Sequence, residues 1–429
     1  MNIVQIIPGS GGSFYCGNCL RDSKYVAALR GQGHQVIKIP MYLPIFADER
    51  DIKEVPVFYG AVSIYLKQLY PIFRKAPQWV DRLLNSKPLL KLAASMAGST
   101  NAKGLEEMTV SMLLGEDGKQ QDELERLVDW MEEHCKPDIV HISNALLLGL
   151  AHRIKERLNV PVICSLQDED VWVDAMKPIY REQIWNLMSE KARHVDLFIG
   201  VSHFFSQVMQ QRMNLPPEKI RSLYLGVDPE DYEPVPIGSK GRNIGYISRM
   251  CHENGFDLLV DAFILLKKRS GFGDVKLIIT GGSTGADTNY IKQINKKLSR
   301  EKLNGHTEII EDFEGIGRKA FFDKVTLVSV PVRNGEAFGM YLLESMASGV
   351  PVVQPALGAF PEIVNLCGGG IIYGPNTPEA LCNALATLLS EPEKLKNLSL
   401  KALEGVKTNF NIHDHAREMV EVYQSCNLK

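Results

Sequence analysis

Short runs of consecutive apolar residues alternate along the chain with longer segments in which apolar residues recur every three or four positions. The short runs predict strands that are buried on both faces, and the longer segments predict amphipathic helices. Strands and helices that alternate in this way predict an α/β fold with parallel sheets. The alternation occurs in two series, so we expect two Rossmann-like βα domains.

The first series is interrupted by an irregular stretch from about residue 41 to 130. Only the end of this stretch is predicted to form a helix. Strands are predicted at residues 4–7, 34–39, 138–142, 161–166 and 196–201, and helices at 17–30, 121–134 and 146–158. Polar residues follow these strands, as in open α/β sheets that bind ligands at the carboxyl ends of their strands.

The second series follows the proline-containing segment 234–238. Its predicted strands are at residues 243–248, 276–280, 307–310, 325–330 and 350–353, and its helices lie at 256–268, from about 289, through 319 and at 340–346. After Pro375 the pattern is helical, and the amphipathic segment 411–424 is expected to cross back over the first domain. We therefore predict domains at 1–236 and 237–408, with a C-terminal helix in 409–429.

Composition excludes several classes of protein. The chain has 429 residues, 45% hydrophobic and 23% charged residues, and a net charge of −3, so no basic field indicates nucleic acid binding. The N-terminus lacks basic residues before its short apolar run, which predicts a first strand and not a secretory signal. No apolar run approaches the roughly 18 residues of a membrane span.

The eight cysteines are scattered, which favours reduced thiols in a cytoplasmic protein over a disulfide framework. Only Cys16 and Cys19 have a suggestive spacing. Plain structural thiols, a redox pair and a metal site are the three interpretations of that spacing.

Basic and aromatic residues are interleaved between residues 61 and 98, against a single acid, Asp81. Such a segment suits contact with an anionic membrane surface or with an acidic acceptor. The alternative is a solvated helical face with an aromatic core side.

Glu336 and Glu344 carry the chemistry that the sequence indicates most clearly. A predicted strand precedes them, Gly339 lies between them at the predicted start of a helix, and Gly349 ends that helix. The N–H groups at a helix N-terminus attract phosphate, and carboxylates accept strong hydrogen bonds from sugar hydroxyls. This pattern predicts a site for a polyol attached to an anion. The alternative is that both are surface acids of the helix.

Loops after the strands of the first domain supply further candidates. Gly11 and Gly12 belong to a glycine-rich loop that lets backbone approach a ligand, although it lacks the third glycine of the dinucleotide fingerprint. Asn144 and Asp168 follow two later strands and outline one edge of a cleft. Each of them is alternatively a helix cap.

Together, the two βα domains and the Glu336/Glu344 block resemble the glycosyltransferases of the GT-B fold, and more narrowly glycosyltransferase family 4. The resemblance covers nearly the whole chain and is strongest from residue 243 to 364. It implies two domains that face each other across a cleft, with the nucleotide-sugar donor on the C-terminal domain and the acceptor on the N-terminal one.

The resemblance also implies roles for individual residues. Glu344 is expected to bind the ribose hydroxyls, Glu336 the transferred sugar beside its anomeric carbon, and Arg249 the diphosphate. The remaining donor-site candidates are Phe338, Gly339, Met340, Tyr341, Gly281 and Gly12. Gly11, Asn144 and Asp168 are the candidates on the acceptor side.

Two positions depart from the family pattern. Asn254 stands where relatives usually have a lysine, which removes one cation from the diphosphate site. His141 lies inside a predicted strand, whereas many relatives carry a histidine at the cleft end of that strand.

The resemblance thus implies a retaining, hexosyltransferase-like enzyme that needs no metal or other cofactor and acts on a glycan, lipid-linked or small-molecule hydroxyl. Two other functions fit the same architecture. One is a nucleotide-sugar epimerase. The other is a non-catalytic protein that binds a sugar nucleotide, which the asparagine at position 254 in place of the usual lysine would favour.

Overall fold

A computed structural model describes residues 1–8, 17–41, 104–313 and 315–427. Gly11, Gly12 and the predicted contact segment 61–98 lie outside these residues, as do Cys16 and the stretch from 42 to 103. Within the described ranges, no helix is both long and apolar enough to cross a membrane.

The described chain divides into two compact units, as the alternating pattern predicts. The first contains the described residues up to Tyr224 and those from His413 onward, and the second runs from Leu225 to Ile412. The sequence-based boundary after residue 236 therefore lies inside the second unit, and the one after 408 lies just before its end.

A parallel sheet of six strands forms the centre of the first unit, in the order β2-β1-β3-β4-β5-β6. Its strands are β1 (Asn2–Ile7), β2 (Gln35–Pro40), β3 (Ile139–Ile142), β4 (Val162–Leu166), β5 (Leu197–Gly200) and β6 (Ile220–Ser222). The middle strands are buried along their whole length, which explains their continuous apolar runs.

Helices connect these strands. They are α1 (Gly17–Gly31), α2 (Glu106–Leu114), α3 (Gln121–His134), α4 (Ala151–Leu158), α5 (Glu169–Asp174), α6 (Pro178–Lys191) and α7 (His203–Arg212). The apolar residues of α3 that recur at helical spacing, Leu124, Leu127, Val128 and Met131, are all buried.

The second unit contains another parallel sheet of six strands, in the order β12-β11-β10-β7-β8-β9. Its strands are β7 (Asn243–Ile247), β8 (Lys276–Thr280), β9 (Thr307–Ile309), β10 (Leu327–Val328), β11 (Val352–Pro355) and β12 (Gly370–Tyr373). Its helices are α8 (Phe256–Lys267), α9 (Thr288–Arg300), α10 (Gly315–Lys324), α11 (Met340–Ala347), α12 (Phe360–Cys367), α13 (Pro378–Ser390) and α14 (Pro392–Asn409).

The C-terminal helix, α15 (Ile412–Asn427), belongs to the first unit from His413 onward, as expected from its amphipathic pattern. Its Tyr423 hydroxyl lies 2.7 Å from Nδ1 of His141, whose Nε2 lies 2.8 Å from Oγ of Ser165. All three side chains are buried. His141 lies inside β3, as predicted, and serves there to join the helix to two strands.

Several elements differ from the prediction. β10 is shorter than the predicted strand 325–330. β6 and β12 were not predicted because both are short, and β12 begins at the last of three consecutive glycines. The predicted helix 146–158 is a 3₁₀ helix over Ala145–Leu150 followed by α4.

Close backbone packing explains the 3₁₀ segment. A Cβ added to Gly149 would lie 2.0 Å from the carbonyl oxygen of Met112, and one added to Gly115 would lie 2.1 Å from the carbonyl oxygen of Gly149. Two backbone segments therefore meet where neither has room for a side chain.

Substitution of Gly149 by alanine is expected to destabilise the first unit by about 1–3 kcal/mol or more, because the new methyl group overlaps a backbone carbonyl that cannot move freely. Gly238→Ala is the matched control, since nothing lies within 4 Å of a Cβ at that position. Thermal unfolding of both variants tests this, and an unchanged midpoint for Gly149→Ala would contradict the packing.

Candidate active site

Three predicted site residues of the second unit follow adjacent strands. Arg249 follows β7, Gly281 follows β8, and Glu336 follows β10, and the sheet order places β10, β7 and β8 side by side. Because the strands are parallel, these residues leave the sheet at the same edge. Open α/β sheets bind their ligands at this edge.

Arg249 is oriented by a carboxylate. Its Nε and Nη2 donate to the two oxygens of Asp287, each at 2.8 Å, and Nη2 also lies 3.2 Å from Oγ1 of Thr284. The hydrogen bond to Asp287 raises the pKa of Arg249. Burial raises the pKa of Asp287, but hydrogen bonds from Arg249 and Thr284 outweigh burial and lower it overall. A fixed cation therefore stands at the sheet edge.

Asn254 stabilises the loop that carries Arg249. Its Nδ2 donates to Oγ of Ser248 at 2.8 Å and to the carbonyl oxygen of Arg249 at 3.3 Å. The hydroxyl of Tyr246 donates to the same carbonyl at 2.8 Å. Asn254, at the position where relatives usually have a lysine, thus hydrogen-bonds to the backbone of the Arg249 loop. Arg333, three residues before Glu336, does not replace that lysine at the diphosphate in this structure, because it pairs with Asp257 at 2.6 Å.

Gly281 brings two strand ends together. It adopts φ +111°, and a Cβ there would lie 2.4 Å from the carbonyl oxygen of Ser248. This close approach requires glycine. The structure therefore explains the glycine by packing at the sheet edge.

Two glycines that the sequence did not single out support the loop of Glu336. Gly335 (φ +75°) and Gly358 (φ +57°) adopt left-handed conformations, and a Cβ on Gly358 would lie 2.6 Å from the backbone nitrogen of Glu336. The N–H of Ala359 also donates to the carbonyl oxygen of Glu336 at 3.0 Å. The loop after β11 thereby fixes the backbone of Glu336.

Helix α11 begins as predicted, directly after Gly339, which adopts φ +94°. A Cβ at Gly339 would lie 3.1 Å from Oε2 of Glu336, so the carboxylate sits beside the start of the helix. The side chains of Phe338, Met340 and Tyr341 are buried. Because these side chains are buried, a ligand at the start of α11 would contact the backbone N–H groups and the positive end of the helix dipole.

Glu344 is fully buried in the middle of α11, which excludes its alternative interpretation as a surface acid. Its Oε1 accepts a hydrogen bond from Nη1 of Arg318 at 2.9 Å, and the side chain of Tyr232 interacts electrostatically with it. Burial raises the pKa of Tyr232 well above its ordinary value, and the charge of Glu344 adds to this. Arg318 and Tyr232 were not predicted from the sequence, because no local pattern links them to Glu344.

The acceptor-side candidates of the first unit follow neighbouring strands. Asn144 caps the 3₁₀ helix after β3, its Oδ1 accepting from the N–H of Leu146 at 2.8 Å, while Asp168 adopts φ +56° after β4. Glu169 joins the two loops, since its oxygens accept from the N–H of Ala145 at 2.9 Å and of Gln167 at 2.7 Å. Asn144 thus has the capping role that the sequence left open.

Two family models match consecutive parts of the chain. Residues 118–231 match the model described as Glycosyltransferase Family 4, and residues 241–391 match the one described as Glycosyl transferases group 1. The chain belongs to the family 4 glycosyltransferases. Both matches fall on the βα series predicted from sequence.

Curated relatives match at low identity. A lipopolysaccharide core biosynthesis mannosyltransferase of Rhizobium meliloti is 30% identical over 42% of this chain and 51% of its own length. A D-inositol 3-phosphate glycosyltransferase of Corynebacterium glutamicum is 25% identical over 63% of this chain and 68% of its own. The chain thus matches about half the length of the first relative and two thirds of the second.

Among solved structures, Anabaena HepE in complex with UDP and glucose matches with a TM-score of 0.69 at 18% identity, over 99% of this chain and all of that one. The likeness shows that the fold of this family 4 member is GT-B.

Replacing Arg318 by methionine is expected to destabilise the protein by about 3–5 kcal/mol, because it leaves the buried Glu344 carboxylate without its cation. Lys319→Met is the control, as the neighbouring lysine makes exposed ion pairs that contribute little. Urea unfolding of both variants measures the difference. Equal midpoints for the two would contradict the importance of the buried pair.

The stability of the first unit is expected to depend on the ionisation of Glu169. Burial raises its pKa from 4.5 to about 8, although backbone N–H groups lower it in part. Between these values the folded chain retains a proton that the unfolded chain has released, so the free energy of unfolding falls as pH rises. Glu169→Gln lacks this dependence.

Urea unfolding at about pH 5.5 and about pH 7.5 tests this, with an expected gain for Glu169→Gln relative to the original chain of about 1 kcal/mol per pH unit. Parallel pH profiles of the two proteins would show that the carboxyl group is ionised throughout.

Proposed function

We propose that the chain transfers a sugar from a nucleotide-diphosphate sugar to a hydroxyl acceptor, with retention of anomeric configuration. The observation that carries the proposal is the pair of glutamates around the start of α11, with Glu336 beside the helix N-terminus and Glu344 buried within the helix. Arg249 leaves the neighbouring strand at the same sheet edge.

In this proposal the diphosphate binds the N-terminus of α11. The backbone N–H groups of Met340 and Tyr341 are the donors there, and the helix dipole favours the negative charge. Arg249, oriented by Asp287, supplies the cation, and no lysine assists it because position 254 is asparagine.

The ribose hydroxyls are proposed to bind Glu344. Because Glu344 has no exposed surface, its pairing with Arg318 or Tyr232 has to change when the nucleotide binds. Until then the hydrogen bond from Arg318 holds the carboxylate in place.

The transferred sugar is proposed to lie against Glu336. The acceptor oxygen attacks the anomeric carbon from the face of the leaving group, and its proton passes to an oxygen of the departing diphosphate. The bond between the anomeric carbon and that diphosphate breaks as the new glycosidic bond forms. Glu336 stabilises the positive charge that develops at the anomeric carbon, and Arg249 the negative charge on the leaving group.

The acceptor is assigned to the first unit, with Asn144, Asp168 and Gly11 as its candidates. The relatives favour transfer over epimerisation, since those reported above are transferases. Their names include a mannosyltransferase, whereas the structural neighbour binds UDP and glucose. We accordingly propose a nucleotide-sugar donor without assigning its base or sugar.

Glu336→Gln is expected to lower the rate of donor hydrolysis or transfer by about 10²-fold, because a neutral amide no longer stabilises the developing charge. Donor binding should change little, since the diphosphate and ribose contacts remain. Isotope-labelled nucleotide sugars and an acceptor panel measure rate, product and anomeric configuration.

Glu379→Gln, an exposed glutamate in the first turn of α13, is the control. Equal rates for the original chain and Glu336→Gln would overturn the assignment. Saturable binding without turnover across the panel would instead identify a non-catalytic binder, and an altered free sugar nucleotide would identify an epimerase.

A further inference from the structure

A second group of acidic and histidine side chains lies in the first unit. Glu116, His152 and Glu156 each place one ligand atom within 4.8 Å of the other two. Nδ1 of His152 lies 2.6 Å from Oε2 of Glu116. None of the three belongs to the sites described above.

Two rigid elements bring these residues together. His152 and Glu156 are four positions apart on α4, so both lie on one face of the helix. Glu116 comes from the 3₁₀ turn Gly115–Asp117, and the close packing of Gly115 on Gly149 fixes that turn beside the start of α4. The spacing between the ligands is thus set by backbone packing and not by flexible loops.

Arg153 would compete with a metal ion for the Glu156 carboxylate, but Arg153 does not depend on Glu156 for its own position. Its Nη1 binds only Oε2 of Glu156, at 2.6 Å, while its Nε and Nη2 bind both oxygens of Glu125 at 2.7 and 2.9 Å. Arg153 therefore retains a bidentate partner if Glu156 turns away. An ion pair in contact with solvent contributes little to stability, so breaking it costs little.

We propose that Glu116, His152 and Glu156 bind a divalent transition-metal ion such as Zn²⁺. One imidazole nitrogen and two carboxylates form a suitable set of protein ligands, with water at the remaining position. Donor atoms around tetrahedral zinc are about 3.3 Å apart, so Glu116 and His152 need to separate only slightly, as the ion replaces the proton between them.

His194 strengthens this assignment. Its ring lies next to that of His152, with centroids 4.4 Å apart and planes inclined by 55°. A second imidazole therefore stands beside the proposed ligands. His194 lies three residues before the start of β5, away from the carboxyl ends of β3 and β4 where the acceptor-side candidates lie. The proposed ion thus joins α4 to the turn at Gly115–Asp117 and takes no part in sugar transfer.

Calorimetric titration of the full chain with Zn²⁺ at neutral pH tests the proposal. All proteins carry Cys16→Ser and Cys19→Ser, so that this pair contributes no thiolate ligands. The expected result is one site with micromolar affinity and a raised thermal midpoint. His152→Ala and, separately, the exposed Glu156→Gln should each weaken binding by about tenfold or more, because each removes a ligand.

His134→Ala is the matched control, because His134 is an exposed histidine outside the group and should leave the affinity unchanged. Absence of binding to the starting protein would overturn the proposal. So would equal affinity in the starting protein, His152→Ala and Glu156→Gln, since the ion would then bind elsewhere.

Discussion

A buried ion pair between Glu344 and Arg318 is the constraint on which the second unit's site depends. Helix α11 is buried throughout, and a carboxylate inside it is tolerable only with a cation and further hydrogen bonds. Arg318 comes from α10, and Tyr232 from the segment that begins this unit. The contacts of Glu344 with Arg318 and Tyr232 therefore hold α11 against two other parts of the unit. They also fix the position of the helix N-terminus beside Glu336.

The sheet edge adds the second half of the arrangement. Because β10, β7 and β8 are adjacent and parallel, the loops that bear Glu336, Arg249 and Gly281 emerge together. Glycines with positive φ allow these loops to pack closely, and Asp287 orients the arginine. Asn254 occupies the position where a lysine would add a positive charge. Its side chain instead stabilises the backbone of the Arg249 loop by hydrogen bonds. In the proposed site, binding of the diphosphate thus relies on one oriented cation and on helix N–H groups.

Much of this could be predicted from the sequence, because the decisive signals are local. The apolar runs identified the strands, and Gly339 and Gly349 marked the two ends of α11, since both positions require positive φ. Partners distant in sequence left no such signal. Arg318 and Tyr232 reach Glu344 only in the folded chain, and the packing of Gly358 on Glu336 depends on two loops meeting. β12 was missed because it has only four residues, of which the first is the last of three consecutive glycines, and so short a segment carries no usable periodicity.

A crystal structure of the chain with a non-hydrolysable nucleotide-diphosphate sugar would show whether the two glutamates bind the donor. We expect the diphosphate at the N-terminus of α11, the ribose hydroxyls within hydrogen-bonding distance of Glu344, and the sugar against Glu336. A nucleotide bound away from α11, with Glu344 still paired as it is without ligand, would contradict this expectation.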